Sequence, residues 1–157
     1  MPLPCKDATM SQRPERIAID PDDHYADFIG RTEDGRQFIL TTPFEPATRR
    51  QPGCEYIALY LFDADGALLD AQIDSLGPRD QVDAQQHRAI RQARLQALGA
   101  IEHRRVQVAP FAVEQFGTTF GLVARAPEDE DDLWAVEMQP GNYMAFFEPW
   151  DSGVYDT

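Results

Sequence analysis

The side chains able to do chemistry in this chain gather towards its two ends. Near the start, "DPDDHYAD" sets His24 among Asp20, Asp22, Asp23 and Asp27. A metal would need three or four ligands to converge there, and the spacing matches neither H-x-x-x-H nor a cysteine and histidine cluster. No metal is expected. With His24, the carboxylates Asp27, Glu114 and Glu148 are the groups that could serve as acid or base beside a pocket. At the far end, "EPWDSGVYDT" interleaves Trp150 and Tyr155 with Glu148, Asp151 and Asp156. Aromatic faces beside carboxylates suit the grip of a basic protein or a cationic ligand. The same two rings would also serve as a cap, folded back over the outer face of the last hairpin where Ala135, Met144 and Phe146 would otherwise meet water.

Other chemistries are excluded by what is missing. Lys6 is the only lysine, which removes Schiff-base chemistry and a phosphate-loop lysine, and no glycine-rich fingerprint for a nucleotide follows any strand. Ser11, Ser75 and Ser152 lie outside any nucleophile-elbow pattern. "DADGALLDAQID" alternates aspartates as an EF-hand loop does, but its glycine stands at the fourth position instead of the sixth and Asp replaces the bidentate Glu, so a hairpin turn is expected. Cys5 and Cys54 form no C-x-x-C pair and read as free thiols in a reducing compartment; a nucleophile at Cys54 would need His24, His87 or His103 brought to it by the fold. Arg88, Arg91 and Arg94, followed by Arg104 and Arg105, form the one basic island, expected to pair with the protein's own carboxylates. No cofactor is implied.

The balance of charge bounds the partners. In 157 residues, 27 acidic side chains face 14 basic ones, a formal charge of −13 that repels phosphate backbones and anionic lipid. Nucleic acid and membrane are therefore not expected as partners, whereas a basic protein is. "EDEDD" at 128–132 concentrates this charge. No apolar leader or membrane-length run occurs, and the expected location is cytoplasmic. Residues 1–23 are proline-rich and charged, with "IAI" as an apolar island, and are expected to be disordered or loosely attached; Met10 offers a second start. Residues 24–157 are expected to fold as one domain.

The elements that must position these groups follow from periodicity. "HYADFIGRTEDGRQFILTTPF" and "EYIALYLFDADGALLDAQIDSL" each run apolar residues into an Asp-Gly and resume, which predicts two β-hairpins. In the second, Tyr56, Ala58, Tyr60 and Phe62 alternate with Ile57, Leu59 and Leu61, so both faces are apolar and the strand is central; its partner should turn Leu69, Ala71 and Ile73 inward. The proline-rich 43–53 between the hairpins reads as an unpaired loop. "GPRDQVDAQQHRAIRQARLQALGAI" predicts one long helix with Pro78 in its first turn, Gly99 at its stop and a buried stripe of Gln86, Ile90, Ala93, Ala97 and Ile101. Beyond it come a strand at "RRVQVAP", a helical turn at "FAVEQFG", and strands at "TTFGLVARA" and "LWAVEMQ". A Pro140-Gly141 turn should set Val136 and Met138 on one face with Tyr143, Ala145 and Phe147, unless a bulge shifts the register by one. The sum is an α+β fold: a mostly antiparallel, curved sheet of two N-terminal hairpins and C-terminal strands, with one long helix packed on one face.

The stretches "IGRTEDGRQFILTTPF", "FAVEQFGTTFGL" and "VEMQPGNYMAFFEPWDSGVYDT" resemble those of a family of small bacterial proteins to which no activity is attached, so the resemblance carries over no site residues. In general character the chain is similar to immunity proteins that neutralise toxins. The functional expectation is a non-enzymatic acidic domain that binds a basic protein. The alternative is a small enzyme or ligand-binding protein with a pocket between the sheet and the C-terminal tail.

Overall fold

The computed structural model describes residues 14–19, 29–140, 144–146 and 153–155, the last group and residue 144 by backbone only. Both Asp-Gly hairpins form. β2 (Ile29–Thr32) turns into β3 (Gln37–Thr41) through Gly35 at φ 90°, and β5 (Cys54–Phe62) turns into β6 (Leu68–Gly77) through Gly66 at φ 94°. In the second turn the Asp63 carboxylate accepts from the backbone N–H groups of Asp65 and Ala67, each at 2.9 Å, so it stitches the turn that the alternating aspartates announced. The preceding segment 43–53 is not wholly unpaired: β4 (Phe44–Glu45) pairs with Glu55 and Cys54, because its two residues fall between the prolines.

β5 is the centre of the first sheet, with β6 along one side and β3 then β4 along the other, while β2 pairs outward from β3 to β7 (Ile101–His103). All seven residues from Tyr56 to Phe62 are buried, as a strand covered on both faces requires. The partner strand departs from simple alternation. A bulge at Leu61/Phe62 sets Leu68 opposite Phe62 and Asp70 opposite Leu61, which leaves Leu69 exposed and turns Leu68 to the core in its place.

The helix is shorter than expected and rotated. Pro78 opens a 3-10 turn over Arg79–Gln81; Val82 is extended, and α1 runs over Ala84–Gln96 with Asp83 as its N-cap, its carboxylate accepting from the Gln85 N–H at 2.9 Å. Gly99, at φ 79°, follows the end as expected, but Ile101 belongs to β7. The side chains turned partly inward are His87, Ile90, Arg91, Arg94, Leu95 and Leu98; Gln86, Ala93 and Ala97 are exposed. Alanines gain little by burial, whereas the long stems of two arginines can cover apolar surface and keep their heads wet. Ile90, Leu95, Leu98 and Ile101 pack on Phe38, Leu40, Ile57, Leu59 and Leu61.

The other face of this sheet meets a second one. β9 (Phe111–Gln115), β10 (Thr118–Arg125), β11 (Ala135–Gln139), β12 (Met144–Phe146) and β13 (Gly153–Tyr155) pair in the order β13-β12-β11-β10-β9, all antiparallel. "FAVEQFG" is thus a strand and the start of a hairpin: Gln115 pairs Thr118, with Phe116 at φ 54° and Gly117 at φ 71° between them, the paired positive φ of a tight hairpin turn. Val136 pairs Phe146, one residue away from the register of a two-residue turn at Pro140 and Gly141. Phe146, expected on an outer face, thus lies opposite Val136 and is buried; Ala135, on the other face of β11, is buried as well.

β1 (Ile17–Ile19) and β8 (Val106–Val108) make a third, two-stranded ladder. Ile17–Ile19 are all buried, so for these three residues the expectation of a loosely attached leader is corrected: an apolar island that finds a partner strand offsets the ordering of its own backbone. Ile17, Ile19, Val106 and Val108 join Tyr60, Phe62, Phe120, Leu122, Val136 and Phe146 in one core between the sheets. The architecture is therefore α+β and mostly antiparallel, with the C-terminal strands in their own sheet instead of extending the first. No helix among the described residues is long and apolar enough to cross a membrane.

Candidate functional site

The tail residues singled out by their chemistry fall largely outside the described residues: Glu148, Trp150, Asp151 and Asp156 do, as do His24 and Asp27. Tyr155 lies at the end of β13, opposite Met144 on the edge of the second sheet. Glu114 stands exposed on β9, where it accepts from the Thr119 hydroxyl at 3.2 Å. Of the basic island, Arg94 grips Asp74 with two nitrogens at 3.0 to 3.1 Å and donates to Gln72 at 2.8 Å, both on β6. That arginine binds the protein's own carboxylate.

Two places concentrate functional groups. The first is a cleft of about 240 Å³ at the start of β5, lined by Phe44, Glu45, Cys54, Glu55 and Arg79 among others. Glu45 accepts from the Tyr56 phenol at 2.9 Å and from the Thr118 hydroxyl, which joins the two sheets. Burial pushes the Tyr56 phenol far above its ordinary range, so it remains a protonated donor to that carboxylate. Cys54 Sγ lies 3.3 Å from Ser75 Oγ. His87 is on the helix side of the sheet, the side of Ile57 and Leu59, whereas Cys54 packs with Tyr56 on the opposite face. Among the described residues no imidazole is positioned to activate the thiol. The Arg79 guanidinium lies 5.5 Å from the Phe44 ring centroid and 3.5 Å from Glu55, closing one wall.

The second place is the β10–β11 connection. Asp132 is its anchor: its carboxylate accepts from Arg125 at 2.8 Å and from the backbone N–H groups of Glu128 and Leu133 at 3.0 and 2.8 Å. Those two backbone donors, ahead of Arg125, hold its carboxyl below the ordinary aspartate range. Arg125 also donates to Glu137 at 3.0 Å, and Asp129 accepts from the Asp131 N–H at 2.9 Å. Glu128, Asp129, Glu130 and Asp131 are left exposed on a loop pinned by Arg125, which is already engaged with Asp132 and Glu137. Beside it, Leu133 is 49% exposed, and a cleft of about 270 Å³ opens between the residues Pro110, Phe111, Ala112, Val123, Ala126 and Trp134, whose side chains are apolar but whose backbone adds polar surface.

The run of carboxylates was legible in the sequence; the anchor and the cleft were not, because Arg125, Asp132 and Glu137 share no periodic spacing and meet only through the β10–β11 pairing. Among the described residues no three His, Cys, Asp or Glu side chains converge as metal ligands. Comparison with protein-family models, with curated proteins and with solved structures gave no match.

Proposed function

We propose that this chain is a non-enzymatic binding domain that engages a basic protein through its carboxylate surface. The observation that supports it is the loop at 127–132, where four outward carboxylates sit on a turn held by Asp132, Arg125 and Glu137. A loop already fixed loses little conformational freedom when it is bound. Its unneutralised charge is a concentrated part of the chain's formal −13, which steers a cationic surface inward and repels the phosphates of nucleic acid.

The test is calorimetric titration with a 20-residue polylysine at 25 mM and 150 mM salt, on the full chain and on the variant E128Q/D129N/E130Q/D131N. Binding at low salt that weakens on the order of tenfold at the higher salt, and that falls in the variant, is expected. Equal affinity in the two proteins would remove the loop from the interface. An absence of binding at 25 mM salt would refute the reading.

A further inference from the structure

β10 outruns its neighbour. β9 pairs it only as far as Phe111 opposite Leu122, while β10 continues to Arg125 and is held beyond Leu122 by β11 alone, through Val123 with Glu137, Ala124 with Val136 and Arg125 with Ala135. The chain before β9 does not fill the gap. Pro110 has no N–H to offer a ladder, and the Ala109 N–H is turned away to the Gly66 carbonyl at 2.9 Å. Among the described residues, the outer edge of Val123–Arg125 therefore has no strand beside it. The cleft of about 270 Å³, walled by apolar side chains and backbone, lies at this notch, with Pro110, Ala112 and Trp134 among its walls and Val123, Ala124 and Ala126 along β10 and its end. The carboxylates of Glu128–Asp131 leave the same strand two residues later.

We infer that this notch is the docking seat for an extended segment of the basic partner, which lies along the open edge of Val123–Arg125 and inserts one apolar side chain into the cleft while its flanking lysines or arginines face the 128–131 loop. An open strand edge offers backbone donors and acceptors, and a neighbouring pocket supplies the side-chain selectivity that charge alone lacks. The choice of a basic segment rests on charge complementarity: the loop beside the notch presents four exposed carboxylates, and Arg125 is neutralised by Asp132 and Glu137. The cleft is smaller than a typical small-molecule site, which starts at about 300 Å³, and suits a single anchoring side chain. The inference rests on the basic-partner reading and locates it.

Two peptides of equal charge separate the ideas, Lys-Arg-Lys-Leu-Arg-Lys and the same peptide with Ser in place of Leu, titrated into the isotopically labelled full chain at 25 mM salt. The leucine peptide should bind about tenfold more tightly than the serine peptide, the advantage of one buried apolar side chain. Its amide shifts should centre on Val123, Ala124, Ala126 and Leu133, with the Trp134 indole. Ala126→Phe, which fills the cleft from its own wall, should erase the leucine preference; a preference that survives in a folded variant overturns the seat. Equal affinity for the two peptides, or shifts confined to other surfaces, overturns the docking seat and leaves the basic-partner reading standing. Failure of both peptides to bind overturns both. The shift map of the unmodified protein decides the matter even if Ala126→Phe does not fold.

Discussion

Gln37 offers the sharpest test of how the β1–β8 ladder is held to the first sheet, because it is a fully buried amide with both its nitrogen donors and its carbonyl oxygen engaged. Its Nε2 donates to the Asp63 carbonyl at 3.1 Å and to the Gln107 carbonyl at 2.9 Å, and its Oε1 accepts from the Gln107 N–H at 2.7 Å. One side chain on β3 thereby ties the turn of the second hairpin to β8 and, through β8, to β1. Gln37→Leu keeps the size and removes all three bonds, leaving two carbonyls and one N–H without their partner. At about 1 kcal/mol for each bond, the loss is about 3 kcal/mol of a total that for a single domain is about 5–15. For a chain of this length that lowers Tm by about 6–12 °C. Urea unfolding should show the midpoint fall with an unchanged slope, since the surface exposed on unfolding is the same. A loss below about 1 kcal/mol would mean that water or a shift of β8 replaces the amide, and the argument for Gln37 as a tie would fail.

Gln37→Glu carries the same reasoning into pH dependence. The new carboxylate would face two carbonyl oxygens with no proton to offer either, so at pH 7 it should be worse than leucine. Its pKa in the folded state is raised above the unfolded value of about 4.3 by burial and by those oxygens. The folded form then binds the proton more tightly, and the variant should recover stability, relative to the wild type, as pH falls from 7 to 4. A deficit that did not shrink over that range would contradict the assigned donors.

Three further outcomes are expected. Gly30→Ala should destabilise the fold by about 1–3 kcal/mol in thermal melts, because a Cβ built there would stand 2.0 Å from the Glu102 carbonyl oxygen and force β7 off β2; an unchanged Tm would refute that close approach. His87 has its pKa lowered, first by burial and then by Arg91. Its neutral form is therefore favoured on folding, and stability should be full above about pH 6.5 and decline below it, a decline that His87→Gln abolishes in urea titrations at pH 7 and 5. Asp132 is also held below its ordinary 3.8, so its contribution is present above that pH and is lost as acid protonates the folded form. Arg125→Met should bring that opening to higher pH, read as earlier loss of hydrogen-exchange protection at the Glu128 and Leu133 amides; protection identical to the wild type would remove Arg125 from the anchor.

What the sequence conveyed well was what neighbours along the chain decide. Asp-Gly with apolar alternation on either side placed both hairpins, and the two apolar faces of 56–62 identified β5 as the covered central strand. Where placement depended on distant partners, local pattern misled. Gln86, Ala93 and Ala97 suggested part of a buried stripe, but they are exposed: Ile90 and Leu95 pack α1 on the sheet, and Arg94 reaches Asp74 on β6, a pairing no helical period contains. "FAVEQFG" has the alternation of a strand and the final glycine of a helical turn; its pairing with 118–122 decided between them. Ile17–Ile19 looked too isolated to fold until Val106–Val108 supplied the matching strand almost ninety positions away.

The same division applies to the site, where the described carboxylates support the proposed binding reading. Several of the described carboxylates are engaged in holding the fold: Glu45 is shared by Tyr56 and Thr118, Asp63 closes a turn, Asp74 takes Arg94, and Asp132 takes Arg125 and two backbone donors. Carboxylates held in such contacts are not free to reach a substrate's proton. The carboxylates on 128–131 stand in the open, where water weakens acid–base chemistry but a cationic surface can approach. Catalysis needs a few groups converging in a dry cavity, whereas recognition needs many groups facing outward on a frame that does not yield. Arg125 and Asp132 build the second arrangement: the ion pair holds the loop, and the loop presents the charge.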